Sequence, residues 1–204
     1  DLKLGFSYIN NHPFLKQIFL FCGIFFVLVA PPAFLTPLQV ARSFGEEVWR
    51  LTAIEIFFSS GMMLGGFIIA AWGGFKNRIY TMAASTLLSG FFTIGLGVIS
   101  VFSFYLICMG LIGIAMPFFH TPFTVLLQEK VEGDYLGRVF GVFSMISTSM
   151  MPLGMLVFGP ISDLIRIEWL LIGTGFLVFI LSFSLVLSKV LVAAGQPSEE
   201  TAQG

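Results

Sequence analysis

The stretch MPFFHTPFTVLLQEKVEGDYLGRVFGVFS, residues 116–144, decides the fold of this chain. It predicts an apolar helix that carries His120 between two prolines and ends at Gln128. A short charged connection, residues 129–138, follows, and then a second apolar helix begins. We interpret this unit as two membrane-spanning helices joined by a polar hinge, with an ionisable residue inside the first.

The composition agrees with that interpretation over the whole chain. Hydrophobic residues make up 57% of the 204 residues and charged residues only 10%, whereas a soluble domain carries about 25% charge. We therefore expect an all-α integral membrane protein immersed in a lipid bilayer. A net charge of -1 argues against a nucleic-acid partner, because no basic face exists to neutralise phosphates.

Signatures of catalysis are missing from the sequence. The only histidines are His12 and His120, and HExxH, GxSxG and the Walker A lysine motif do not occur. Cys22 and Cys108 lie inside apolar runs without a neighbouring ligand, which is typical of buried thiols. We predict no enzyme, no cofactor and no metal site.

Hydropathy divides the chain into a lead-in, six spans and a tail, since a spanning helix needs about 20 apolar residues. Residues 1–13 are predicted to be an amphipathic lead-in on the membrane surface, with Leu2, Phe6 and Ile9 on one face. Residues 14–188 form a six-helix bundle, and residues 189–204 a polar cytoplasmic tail, disordered at its end. The predicted spans are 14–35, 51–72, 79–99, 102–127, 139–161 and 169–187, with a polar loop at 42–50.

Basic residues predict the orientation of these spans in the cell membrane. With the N-terminus inside, seven of them are cytoplasmic and three face out, which supports two cytoplasmic ends. The inner seven are Lys3, Lys16, Lys76, Arg78, Lys130, Arg138 and Lys189, and the outer three are Arg42, Arg50 and Arg166.

Small residues predict how the spans pack. Gly61 and Gly65 lie four apart on one face of the second span, and Gly66 and Ala70 repeat that spacing on another. Two such faces predict a central position for this helix. The third and sixth spans carry no ionisable residue, so we expect them at the periphery.

Glu55 is the first candidate functional residue, in LTAIEIFFSSG of the second span. A carboxylate in lipid is costly, so it must be protonated, paired or facing a water-filled cavity. Burial raises a carboxyl pKa, as a proton-coupling site requires. The alternative is an interfacial residue that extends toward Arg42 or Arg50.

His120 is the second candidate. An imidazole titrates near neutral pH, and Pro117 and Pro122 free backbone carbonyls beside it, as in helices that line a cavity. The alternative is a neutral histidine bonded to one of those carbonyls. The hinge after this helix, with Glu132, Asp134 and Arg138, is either a solvated turn or a latch whose ion pairs break and reform.

LLQEKVEGDYLGRVFGVFS, followed by PLGMLVFGPISDL, resembles the fourth and fifth spans of the C-terminal half of a major facilitator superfamily exporter. The resemblance is greatest to macrolide-efflux and related drug–proton antiporters. The segment from Gly137 to Phe140 is similar to the family's inner hinge. GGFKNR is similar to a basic turn of the family but lacks its acidic residue. Gly154, Gly159 and Pro160 are similar to part of the antiporter glycine-proline motif, and we expect them to take part in helix packing.

This resemblance implies two six-helix bundles that rock about a central site. Only one is present, so we expect either half of a longer chain, favoured by the start at Asp1, or two associated copies. It implies export of amphipathic drugs such as macrolides by proton antiport, with Glu55 and then His120 binding protons or cargo. An inner gate would use Arg138 with Glu132 or Asp134. The alternatives are a transporter of another solute, such as a siderophore or metabolite, and a membrane scaffold without transport.

Overall fold

The computed structural model describes residues 2–196, which form nine helices and no strand. The predicted all-α fold class is confirmed. The helices are α1 (Leu2–Asn11), α2 (Pro13–Phe34), α3 (Thr36–Ser43), α4 (Val48–Trp72), α5 (Arg78–Val98), α6 (Phe102–Lys130), α7 (Gly133–Leu164), α8 (Ile167–Leu187) and α9 (Lys189–Ala194).

Within residues 2–196, six segments are long and apolar enough to cross a membrane. They are α2 together with α3, and then α4, α5, α6, α7 and α8, and their lengths range from 21 to 32 residues. Because a span of the hydrocarbon core needs about 20 residues, each segment is long enough to reach from one membrane surface to the other.

Glycines bring α5 and α8 together as the most extensive helix pair. A Cβ on Gly90 of α5 would stand 2.6 Å from the backbone nitrogen of Phe179, and one on Gly175 of α8 would stand 2.8 Å from that of Ile94. Without side chains at these positions the two backbones touch, which maximises dispersion contacts where water contributes no hydrophobic drive. The two spans without a mid-span charge are therefore firmly packed.

Helix α4 lies at the edge of the bundle, where it packs on α6 and touches α3. The prediction of a central α4 does not match this arrangement. Its Gly61 and Gly65 face does lie against α6, but Gly66 has no neighbour within 4 Å and Ala70 is exposed. Small-residue spacing identifies a surface that permits close approach, but it does not establish that a second helix fills it.

The first span extends beyond its predicted end. The helix continues through Pro31 and Pro32 to Phe34, and after a break at Leu35 the chain forms α3, with Pro37 in its first turn. The predicted loop at 42–50 therefore shortens to Phe44–Glu47. Hydropathy missed α3 because its polar residues lower the average, although a proline in the first turn favours a helix start.

The charged connection predicted at residues 129–138 is almost entirely helical. Helix α6 ends at Lys130, α7 begins at Gly133, and only Val131 and Glu132 separate them. Hydropathy identifies the part of a helix that lies in hydrocarbon, whereas helices continue into the polar interface. The predicted hinge is therefore a two-residue break.

Both predicted terminal segments are docked on the bundle. Helix α1 packs on α7 through Gly5 and the buried Ile9, while Phe6 is exposed. At the other end Leu191 of α9 is buried, and the Asn77 amide donates a hydrogen bond of 2.8 Å to the Val192 carbonyl. The predicted polar tail is thus ordered over 189–196, and its remainder, 197–204, lies outside the described residues, as does Asp1.

Candidate functional site

A cavity of about 490 Å³ opens among the helices, with lining residues from α2 to α8. Its wall is mostly apolar and includes Leu51, Ile54, Phe58, Met109, Ile112 and Met116. Its volume falls within the range of about 300–1,000 Å³ of sites for drug-sized ligands. Methionine side chains adapt to irregular shapes, so this wall suits greasy molecules of varied outline.

Among the described residues, Glu55 is the one ionisable residue that lines the cavity, and its side chain is exposed. Among residues 2–196, no cation lies within 4.0 Å of its carboxylate and it accepts no hydrogen bond. Arg50, one suggested partner, instead bonds Glu47 at 3.0 Å. Glu55 therefore has neither of the basic partners that the interfacial alternative offered.

Three hydroxyl groups, from Thr36, Ser89 and Thr93, add polarity to the wall. Thr36 donates to the Pro32 carbonyl at 2.5 Å, and Thr93 donates to the Ser89 carbonyl at 2.7 Å. Because these protons are engaged by the helices, both threonine oxygens are left as hydrogen-bond acceptors. The cavity thus offers a carboxylate and acceptors, which suit a cation or a donor better than an anion.

His120 lies on α6 one turn beyond Met116, which lines the cavity, and its side chain is exposed. Its ring meets the Phe119 ring edge-on with centroids 5.9 Å apart. No hydrogen bond joins the His120 ring to a carbonyl within the described part of the chain. The structure therefore places His120 past the cavity on the same side of α6, without joining it to Glu55.

A buried polar network lies one turn beyond Thr36, and the sequence did not reveal it. The Gln39 amide donates to the Leu96 carbonyl at 2.8 Å, and the Tyr105 hydroxyl donates to the Gln39 side-chain oxygen at 2.8 Å. Gln39 is 2% exposed and Tyr105 fully buried. The network ties α3, α5 and α6 together and fixes one end of the cavity. Recognition of α3 from Pro37 would have drawn attention to Gln39.

The charged end near α6 and α7 is organised differently from the predicted gate. Arg78 at the start of α5 pairs with Glu129 at the end of α6, its Nε donating at 3.2 Å. Arg138 lies over the Tyr135 ring, 5.3 Å from its centroid. Within residues 2–196 it forms no ion pair, while Glu132 and Asp134 are exposed and Gly137 has open space beside it.

The glycines and other residues predicted to mediate helix packing fall into two groups. A Cβ on Gly61 or Gly65 would collide with the α6 backbone at Gly110 or Ile114, and one on Gly154 would stand 2.7 Å from Ala30 of α2. In the second group, Gly66, Ala70, Gly159 and Pro160 make no such close helix contact.

At the α3–α4 loop, Glu47 has a pKa below the ordinary carboxyl value. The Trp49 indole donates to its carboxylate at 2.7 Å, and Arg50 adds two hydrogen bonds and its charge. These contacts favour the ionised form. The guanidinium also lies 5.5 Å from the centre of the Phe102 ring, so the loop holds Arg50 away from Glu55.

Comparison with known proteins gives relatives that are named as macrolide efflux proteins or as an MFS-type transporter. Macrolide efflux protein A of Streptococcus pyogenes is 27% identical over 176 residues, 85% of this chain and 44% of the relative. The Enterococcus faecalis protein of the same name is 28% identical over 157 residues, 76% of this chain and 49% of the relative. The uncharacterized MFS-type transporter YfiS of Bacillus subtilis is 33% identical over 129 residues, 63% of this chain and 25% of the relative.

The chain therefore spans about half the length of the macrolide efflux proteins it matches. No protein-family model matches it. No solved structure matches it either. Together, the relatives and the six apolar helices identify the chain as a multi-pass membrane protein related to major facilitator superfamily transporters, fitting one six-helix half of such a protein.

Proposed function

We propose that the chain is the C-terminal half of a secondary exporter of amphipathic drugs such as macrolides, driven by proton antiport. The observation that carries this proposal is the unpartnered carboxylate of Glu55 on the wall of an apolar cavity. The protein would lie in the cell membrane with both ends in the cytoplasm. Its partner would be an N-terminal six-helix half, or a second copy of the chain.

The apolar wall supports a greasy cargo. Burial stabilises such a molecule by about 25 cal/mol for each Å² of apolar surface removed from water, without directed hydrogen bonds. The matched relatives named macrolide efflux proteins favour a macrolide within this class. In the proposal, Met109 and Met116 adapt the wall to the cargo and Glu55 contacts any cationic group that it carries.

Glu55 supports coupling to protons because its charge has no basic partner among residues 2–196. When the cavity is closed to water, the cost of an isolated carboxylate favours its protonation. Opening to the other side hydrates the group and releases the proton. Protons and cationic cargo would then compete for one carboxylate, which couples their movements in opposite directions. His120, farther along the same side of α6, would be a second proton carrier.

Alternating access is supported by the uneven packing of the spans. Only 17% of the most apolar stretch of α7 is buried, and 22% of that of α4, against 50% in α5. In the proposal a second bundle covers the open sides of α4 and α7 and rocks against them. The Arg78–Glu129 pair and the break at Val131 and Glu132 would lie at the inner gate, beside Asp134, Gly137 and Arg138.

A siderophore or another anionic solute fits this cavity less well, because no lysine, arginine or histidine is among its lining residues. A scaffold without transport has no use for a carboxylate held on an apolar wall. The cavity therefore favours the drug exporter over both alternatives.

The proposal is tested by erythromycin accumulation in pump-deficient bacteria that produce the complete transporter carrying these six helices. We expect reduced accumulation, restored by a protonophore. A transporter that is present in the membrane yet leaves accumulation of a broad drug panel unchanged would contradict the proposal. Export that persists with the protonophore would contradict its proton-driven part alone.

A further inference from the structure

A second depression, on the outside of the bundle, is apolar throughout. It has a volume of about 380 Å³ and lies along α5 and α6, closed at one end by Trp72 and Phe75. We name it the outer groove. Its floor is formed by Leu111, Ile114, Ala115 and Phe118 of α6, and its wall by the residues of α5 from Thr81 to Phe92.

The outer groove and the cavity lie on opposite faces of α6. Residues 109, 112 and 116 line the cavity, whereas 111, 114, 115 and 118 line the groove. At about 100° per residue the mean directions of these two sets are roughly 140° apart around the helix. A second bundle that covers the cavity would therefore leave the groove facing the lipid.

The polar atoms along the groove are already engaged. The Ser85 hydroxyl donates to the Ala115 carbonyl at 2.5 Å, and the Thr81 hydroxyl accepts from the Phe75 backbone at 2.9 Å. A polar molecule would find few partners there, whereas a hydrocarbon chain needs none. The occupant of this part is therefore apolar.

The length of the groove matches one leaflet of a bilayer. From Thr81 to Phe92, α5 rises by about 16 Å at 1.5 Å per residue. The hydrocarbon core is about 30 Å thick, so a leaflet contributes about half of that. Since Thr81 lies in the first turn of α5, the groove runs from the membrane surface toward the bilayer centre, as an acyl chain does.

The surface end of the groove is basic. Lys76 follows Phe75 directly, is exposed, and forms no ion pair with another described residue. Arg78, two residues further on and paired with Glu129, lines a smaller cavity of about 200 Å³ that shares Phe75 and Thr81 with the groove. Trp72, 49% exposed, is of the type that prefers the headgroup region.

We propose that the outer groove binds an anionic phospholipid, with one acyl chain between α5 and α6 and its phosphate beside Lys76. Apolar length, leaflet depth and positive charge at the surface end coincide in no other depression described above. This site is separate from the cavity, so it stands or falls independently of the proposed drug export.

Native mass spectrometry of the protein, purified from membranes in mild detergent, tests the proposal. The protein is offered equal amounts of phosphatidylglycerol and phosphatidylcholine, and we expect phosphatidylglycerol to be retained preferentially. Lys76→Gln should lower that preference about fivefold, the effect of one basic residue near an anionic surface. The matched control is Lys130→Gln, also an exposed lysine, which should leave the preference unchanged.

The acyl-chain part is tested by filling the groove. Ala84→Phe, on its α5 wall, should reduce retention of both lipids, whereas Ala70→Phe, on the exposed side of α4, should not. Should Ala84→Phe fail to fold, Leu88→Trp is the second variant. Leu88 lines the groove and its side chain is 45% exposed, so a larger side chain there fills the groove without displacing the core. Equal retention by the filled and control variants would overturn the proposal. So would equal effects of the two lysine substitutions, or displacement of the lipid by inorganic phosphate.

Discussion

Two regions of this bundle both contain small residues at helix surfaces, but these residues are closely packed in one region and partly open in the other. The α5–α8 pair has no charge in mid-span and is packed backbone to backbone at Gly90 and Gly175. Helix α4 carries Glu55 and two small-residue faces, yet one of these faces, at Gly66, is open. The difference teaches that a small-residue face can hold two helices in close contact, as in the packed pair, or remain open, as at Gly66 on the helix that carries Glu55 at the cavity.

The sharpest way to break this comparison is the same substitution in both regions. Gly90→Leu must push α5 from α8, because even a Cβ would stand 2.6 Å from the Phe179 nitrogen. We expect a loss of about 3 kcal/mol in stability, seen as a lower midpoint of thermal unfolding in detergent. Gly66→Leu, with no atom within 4 Å, should change it by less than about 0.5 kcal/mol. Equal losses would show that α4 is packed as α5 is.

Polar side chains sharpen the comparison next, since the buried Gln39 has two hydrogen-bond partners and the exposed Glu55 has none among residues 2–196. Gln39→Leu leaves the buried Tyr105 hydroxyl without its acceptor, which should cost about 2 kcal/mol. Adding Tyr105→Phe removes the unsatisfied group and should restore part of the loss in the same unfolding assay. Gln17→Leu is the control, because Gln17 bonds Ser188 at the exposed surface. A double variant no more stable than Gln39→Leu alone would contradict the network.

The contribution of each ion pair at the helix ends to stability should increase with the burial of its side chains. Arg78→Gln leaves Glu129, whose side chain is 18% exposed, without its cation, and we expect a loss of about 1.5 kcal/mol in thermal unfolding. Arg166→Gln breaks a pair at 3.4 Å in which the arginine is 77% exposed, and should cost less than about 0.5 kcal/mol. The reverse order would contradict the firm attachment of α5 to α6.

The smallest effect concerns Glu47, in the loop before α4. Glu47 forms an ion pair with Arg50, in contrast to Glu55 of α4, which forms none with a described residue. Because contacts with Trp49 and Arg50 lower the Glu47 pKa, their contribution is present at neutral pH and is lost as the pH falls through that lowered pKa. Trp49 fluorescence in a background of Trp72→Phe and Trp169→Phe should therefore titrate with a midpoint below the ordinary value of 4.5. A midpoint at or above 4.5, or a transition unchanged by Glu47→Gln, would contradict the pairing.

Much of the fold follows from local sequence. Runs of about 20 apolar residues identify all six membrane segments because the bilayer demands that length. Helix α1 was predicted only as an amphipathic lead-in, and α3 and α9 escaped this pattern because they are short. Hydropathy measures immersion in lipid instead of helical structure.

The candidate site was only partly predictable. Glu55 is recognisable because an isolated carboxylate in an apolar run is costly. The partners of other polar groups are not recognisable, since Gln39 and Tyr105 are 66 residues apart and Arg78 and Glu129 are 51 apart. Such pairs depend on which helices pack together. The predicted gate at Arg138 relied on neighbours in sequence, whereas the structure pairs residues across the bundle.

The central claim is that the unpartnered Glu55 couples export to protons, and one measurement tests it most directly. Erythromycin transport is followed in proteoliposomes that contain the complete transporter, with and without an imposed pH gradient. We expect Glu55→Gln to bind the drug more weakly, through the apolar wall alone, and to lose the acceleration by the gradient, whereas Glu46→Gln, in the exposed α3–α4 loop, keeps both. Full acceleration in Glu55→Gln would contradict the account.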